Sequence, residues 1–163
     1  MQAPLMQRPA ALLSAVALVS IAAVAAALVS QHVFGMEPCP WCVLQRLIFV
    51  AIALGCGLGL VWRTTAGRLM AALLVLGLSL SGVAAALWQH FVASKSQSCK
   101  LTLADRIIVA LRLDTLLADV FSPRASCADA AVDLLGVPYT FWSLTLFALF
   151  AAVALMLLVR SNR

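Results

Sequence analysis

Four uninterrupted apolar runs dominate the chain, at residues 10–29, 42–62, 69–91 and 139–159. Each has about the 20 residues that a helix rising about 1.5 Å per residue needs to cross a hydrocarbon layer about 30 Å thick. Lipid offers the backbone no hydrogen bonds, so each run must be helical. Only the second carries a charge, Arg46. The chain as a whole is 64% hydrophobic and 10% charged, against roughly half and a quarter in soluble domains. That balance excludes soluble multidomain and nucleic-acid-binding readings of the +5 net charge. The expected fold is an all-α membrane protein: a bundle of four transmembrane helices forming one domain over residues 1–163, with loops at 30–41 and 92–138 on one side. Arg8 before the first run and Ala25-Ala26-Ala27 near its end resemble a secretory signal. The run is nevertheless longer than the roughly 7–15 apolar residues of a signal core, and it is read as a retained helix.

Lys and Arg near helix ends set orientation. Arg8, Arg63, Arg68, Arg160 and Arg163 fall on one side, with no acidic residue among them. On the other side, loop 30–41 carries only Glu37, and in loop 92–138 five basic residues are cancelled by five Asp. Both termini are therefore expected to be cytoplasmic and both large loops external. Trp41, Trp88 and Trp142 would mark the external interface and Trp62 the internal one, as aromatic belts do. Within the second loop, Asp105, Arg112 and Asp119 are spaced by seven and would share one stripe of a helix. That pattern suits a short helix on the membrane surface, and equally a loop packed over the mouth of the bundle.

The cysteines acquire meaning from this topology. Cys39 and Cys42 lie in the first external loop, Cys99 and Cys127 in the second, and Cys56 in mid-helix. All four loop cysteines face the side where disulfides persist, and a two-and-two partition is what two disulfides require. A bond between Cys39 and Cys42 would close a tiny loop that constrains the chain little, and CxxC pairs are often reactive rather than structural staples. Cys42 heads the second helix, where free N–H groups and the positive dipole end favour a thiolate. Arg46 lies one turn deeper. It could snorkel to the interface, stabilise that thiolate, or bind a polar headgroup within the membrane, since a buried arginine is expensive unless it serves something. Cys99 sits in a polar run, flanked by Lys95 and Lys100, that would expose it to another protein; Cys99 and Cys127 could otherwise form a purely structural bond across 27 intervening residues. Cys56 reads as a small packing residue. His90 ends the third run and could donate to a headgroup or simply be a polar helix end. A single CxxC and no histidine at metal spacing argue against a zinc site, although four cysteines across the two loops could in geometry hold one.

In these features the chain resembles the DsbB family of bacterial disulfide bond formation proteins. The resemblance rests on four helices, on Pro38-Cys39-x-x-Cys42 followed by Val43-Leu44-Gln45-Arg46 at the head of the second, on a cysteine pair in the long loop, and on Leu135-Gly136-Val137-Pro138 before the fourth. It implies a quinone-dependent thiol oxidant of the bacterial inner membrane. Cys99 and Cys127 would oxidise a DsbA-like periplasmic protein of thioredoxin fold, with Cys99 forming the mixed disulfide. Cys127 would exchange with Cys39, and the Cys39–Cys42 pair would pass electrons to ubiquinone or menaquinone from the membrane pool. It further implies Cys42 nearest the quinone ring, Arg46 on its headgroup and His90 nearby. Pro40-Trp41 inside the CxxC departs from the valine–leucine pair commoner in the family and bears on the reduction potential. Two other classes compete. A vitamin K epoxide reductase-like enzyme places its CxxC at the start of the last bundle helix, not the second. A non-catalytic membrane protein with disulfide-braced loops would have cysteines inert to a reduced partner.

Overall fold

The computed structural model describes residues 9–62, 64–95, 102–134 and 136–161. Its elements run in chain order as α1 (Pro9–Phe34), α2 (Pro40–Val61), α3 (Thr65–Phe91), three short helices α4 (Leu103–Ala110), α5 (Leu113–Leu116) and α6 (Ala118–Phe121), a hairpin of β1 (Asp133–Leu134) and β2 (Val137–Pro138), and α7 (Tyr139–Ser161). Four of the helices, α1, α2, α3 and α7, are long and apolar enough to cross a membrane. The all-α four-helix bundle expected from the apolar runs is therefore the observed fold.

The helix ends follow local chemistry. α1 continues through Ser30-Gln31-His32 to Phe34, past the end of its apolar run, and stops where Gly35 takes a left-handed φ of 65°. α3 starts before its apolar run because Thr64 caps it, its hydroxyl accepting from Gly67 N at 3.1 Å. α2 is the most buried of the four helices. It packs between α1 and α3, and α7 packs on α3, whereas α1 and α7 meet only sparsely. The α1–α7 seam is thus the loose one.

Leu13, Ile52, Cys56, Val75 and Phe147 share one core. Cys56 is fully buried there, as a packing residue should be. Phe49 stacks on Phe147 at 4.2 Å and meets Phe150 edge-on at 6.2 Å. Gly82 of α3 lets that ring in: a Cβ at this position would lie 2.6 Å from Phe147. Gly82→Val should therefore lower stability by about 1–3 kcal/mol, the usual penalty of overpacking. Gly77→Val, whose side chain would enter open space, serves as the control. Thermal unfolding in detergent measures both, and equal melting temperatures would contradict the close approach.

The long loop departs from the single stripe expected of Asp105, Arg112 and Asp119. A capping box starts α4, with Thr102 N donating to Asp105 Oδ2 at 2.8 Å and Asp105 N to Thr102 Oγ1 at 3.3 Å. The helix then breaks at Arg112, which adopts a left-handed φ of 52°. Ile108 and Phe121 both bury against Val43 of α2. One straight helix would hold those two side chains about 20 Å apart at 1.5 Å per residue, so the chain folds back through three short helices instead. The segment packs over the bundle, yet leaves Leu103, Leu111 and Leu116 exposed, a composition suited to the lipid–water boundary.

Candidate active site

The site is built on the first turn of α2. Cys39 is its N-cap residue, with extended φ and ψ, and Pro40 occupies the first helical positions, where its fixed φ is preorganised and its missing N–H is no loss. Two of the next N–H groups bond back to the cap residue: Cys42 N donates to Cys39 Sγ at 3.3 Å, and Val43 N donates to Cys39 O at 3.0 Å. The backbone of Trp41 also lowers the Cys127 thiol, so the positive end of the helix faces thiols.

Cys127 arrives from the other loop. Arg124 N and Ala125 N both donate to Pro38 O, at 2.9 and 3.3 Å, clipping the second loop to the first immediately before the CxxC. Ser126 then opens a turn, its hydroxyl accepting from Asp129 N at 3.2 Å. The outcome is a chain of three sulfurs. Cys39 Sγ lies 2.7 Å from Cys42 Sγ, and Cys127 is buried in the same cluster, close enough for the two thiols to act on each other's titration. The bonds to Cys127 and Cys42, followed by burial, push the Cys39 thiol far above the usual thiol range. The hydrogen bond from Cys39 pulls Cys127 below its ordinary value, against the opposing effect of burial.

At its far end the chain of sulfurs meets a cavity. Gln89 Nε2 of α3 donates to Cys42 Sγ at 3.1 Å, and Gln45 Nε2 donates to Gln89 Oε1 at 2.6 Å. Beyond them a space of about 260 Å³ lies over α2 between α1 and α7, walled by Cys42, Arg46, Phe49, Gln89, Tyr139 and Trp142 among others. Its volume approaches the lower end of small-molecule sites, about 300 Å³. Arg46 is buried and turned inward rather than snorkelling. Its Nη1 donates to Gln31 Oε1 at 2.6 Å and Val120 O at 3.1 Å, and its Nη2 to Ala27 O at 3.3 Å. Gln31 in turn donates to Asp119 O at 3.2 Å. These bonds tie α6, and with it the loop that carries Cys127, to α1 and α2. They use three of the five N–H donors of a guanidinium.

Of the residues singled out in the sequence, Cys39, Cys42, Cys127 and Arg46 converge here. Cys127, placed by the sequence in the second external loop, is buried in the same cluster as Cys39. Cys99 lies outside the described residues. His90 is not on the cavity wall; it faces Phe91 and Phe141, with ring centroids 4.9 and 4.7 Å away. Its neighbour Gln89 takes the inward position. Trp41, expected at the lipid interface, is buried 6.3 Å from Trp88, because the first turn of α2 lies under the second loop. The sequence assigns no role to Gln31 or Gln89, and Gln45 enters only as part of the Val43-Leu44-Gln45-Arg46 motif. The available signal was the amide itself, since glutamines in apolar helices bond across helices. Among the described residues, no group of three His, Cys, Asp or Glu could hold a metal ion.

Comparison with known proteins places this geometry in context. A family profile described as Disulfide bond formation protein DsbB matches residues 8–157. A Disulfide bond formation protein B from Herminiimonas arsenicoxydans is 34% identical over 140 residues, covering 85% of this chain and 88% of that protein. One from Polaromonas naphthalenivorans (strain CJ2) is 31% identical over 162 residues, covering 98% and 96%.

Proposed function

The chain belongs to the DsbB family of disulfide bond formation proteins, and from that premise we propose that it carries electrons from a periplasmic dithiol protein along three adjacent sulfurs to a quinone. The observation that carries this reading is the contact of Cys39 with both Cys42 and Cys127 at the mouth of a cavity walled by Arg46. A multi-pass membrane protein that forms disulfides needs a route from water to lipid, and these sulfurs offer one.

The exchange steps balance. A thiolate of a DsbA-like partner attacks the Cys99–Cys127 disulfide at Cys99, forming a mixed disulfide and freeing Cys127 as a thiolate. Cys127 attacks Cys39, so the Cys127–Cys39 bond forms and the Cys39–Cys42 bond breaks, with Cys42 as the leaving sulfur. The backbone of Trp41 stabilises the attacking sulfur and Gln89 Nε2 the departing one. The second thiol of the partner releases Cys99, which attacks Cys127 and frees Cys39. The net result is a disulfide in the partner and a dithiol at Cys39/Cys42, with two electrons moved. Arg46, Gln89 and Tyr139 would hold a quinone headgroup by its carbonyl oxygens, the apolar walls would take its ring, and the loose α1–α7 seam would admit its tail from the membrane. A bound quinone supplies the two-electron, two-proton acceptor that restores the Cys39–Cys42 disulfide.

The cysteine end would face the periplasm of the inner membrane, with Arg68 and Arg160 at the cytoplasmic end. A merely bracing role predicts sulfurs kept apart as stable pairs, and it leaves the three-way contact without a purpose. Thiol trapping tests the reading. A partner lacking its resolving cysteine should become linked to Cys99, and failure of every variant to trap it would sink the relay.

The Gln89 contact makes a quantitative prediction. Gln89→Leu removes a hydrogen bond to the reduced Cys42 sulfur, which is worth about 1.5 kcal/mol for a charged acceptor. With the reduced form less stable, the Cys39–Cys42 potential should become about 30 mV more negative. Equilibration against dithiothreitol measures it, and an unchanged or less negative potential would refute the contact.

A further inference from the structure

The end of the bundle away from the cysteines holds a second concave space of about 300 Å³ between α1, α3 and α7. Its walls are Pro9 and Leu13 of α1, Thr65, Arg68, Leu69 and Ala72 of α3, and Leu157 and Arg160 of α7. Two guanidinium-bearing residues from different helices thus meet at one crevice, and no acidic residue is among the described residues that line it. Its floor is apolar, with Leu13 and Ala72 almost fully buried.

The two arginines differ in what their own helices can do for them. Arg160 lies in the last turn of α7, where a cation complements the carbonyl end of the helix. Arg68 lies one turn into α3, whose first turn carries no acidic residue. There it faces the positive end of its own helix dipole, the unfavourable placement for a cation. An anion seated in the crevice would relieve that repulsion and engage both side chains, because guanidinium groups match phosphate oxygens.

Depth identifies the anion. α1 has 26 residues and is about 39 Å long at 1.5 Å per residue, so it exceeds a hydrocarbon core of about 30 Å. Pro9 at its start, Thr65 at the start of α3 and Arg160 at the end of α7 therefore lie at the level of lipid headgroups. We propose that this crevice binds the phosphate of one anionic phospholipid, with the lipid's apolar stem against Leu13, Leu69 and Leu157. The arginines meet the phosphate, and the sparse contact between α1 and α7 leaves room for the acyl chains. The site is separate from the cysteines and does not depend on their chemistry.

Native mass spectrometry of the full-length protein released from detergent tests this, titrated with phosphatidylglycerol or with phosphatidylcholine of the same acyl chains. The wild type should retain one phosphatidylglycerol in preference to phosphatidylcholine. Arg68→Gln and Arg160→Gln should each weaken retention about fivefold, and the double variant about thirtyfold, at the scale of one anionic-lipid contact per basic residue. The charge-preserving pair Arg68→Lys with Arg160→Lys should keep the preference, which separates lost binding from lost folding. Equal retention of the two lipids by the wild type, or undiminished phosphatidylglycerol binding by the double Gln variant, would overturn the assignment. Displacement of the lipid by excess inorganic phosphate would show that the crevice takes a free anion, which also overturns it.

Discussion

Cys42→Ser should abolish quinone reduction and trap a Cys39–Cys127 disulfide, formed when the Cys39 thiolate attacks Cys127 of the Cys99–Cys127 bond and frees the Cys99 thiol. Serine preserves the volume at the head of α2 and can still accept the hydrogen bond from Gln89. It cannot form the disulfide that the relay must regenerate. Cys39 then has one sulfur neighbour left, Cys127, buried in the same cluster. With no Cys39–Cys42 disulfide to accept electrons from the loop pair, turnover should fall by about 10³-fold or more, as when a reacting group is removed outright. Quinol formation with a reduced partner protein measures the loss, and peptide mapping under non-reducing conditions identifies the trapped bond. Substantial quinone reduction by this variant would remove Cys42 from the pathway.

Arg46→Ala should damage the protein in two separable ways. Its guanidinium satisfies Gln31 Oε1, Val120 O and Ala27 O inside the bundle. Leaving Gln31 Oε1 and Val120 O unpaired costs about 1–3 kcal/mol each, whereas Ala27 O keeps its bond within α1, so a lower melting temperature and a looser second loop are expected. The same side chain is on the cavity wall. Loss of one charge-assisted bond to a quinone carbonyl, about 1.5 kcal/mol, should raise the KM for quinone about tenfold, more than the KM for the protein partner. Arg46→Lys should recover part of the quinone affinity but not the loop anchoring, because an ammonium lacks the fork that spans three acceptors. An unchanged quinone KM in Arg46→Ala would leave Arg46 as a structural clasp only.

These two residues were legible in the sequence for a simple reason. A CxxC at a helix start and a lone arginine in an apolar run are chemically out of place, and such residues stand out against a lipid-facing background. The four spans were legible because length and hydropathy alone fix them. Their ends were less so. Polar residues such as Gln31 read as loop, although the helix continues in order to present Gln31 to Arg46. The position of Cys127 could not be read from local pattern. It is set by two backbone bonds to Pro38 O and by Ile108 and Phe121 closing on Val43, contacts that join residues far apart in the chain. The break at Arg112 has the same origin, since a seven-residue spacing describes a stripe only where the helix stays intact. His90 and Gln89 are adjacent in sequence, and only the rotation of α3 decides which of them faces Cys42.

The contact of Cys39 with Cys127 is where the loop and the membrane cysteines join, and disulfide mapping during a single turnover probes it directly. Oxidised wild-type protein would be mixed with a reduced dithiol partner, quenched in acid at successive times, alkylated and digested. A peptide linking Cys39 to Cys127 should rise before Cys42 becomes alkylated to completion, and fall as the partner is released. Full oxidation of the partner with no Cys39–Cys127 peptide at any time would contradict passage of electrons between the two loops.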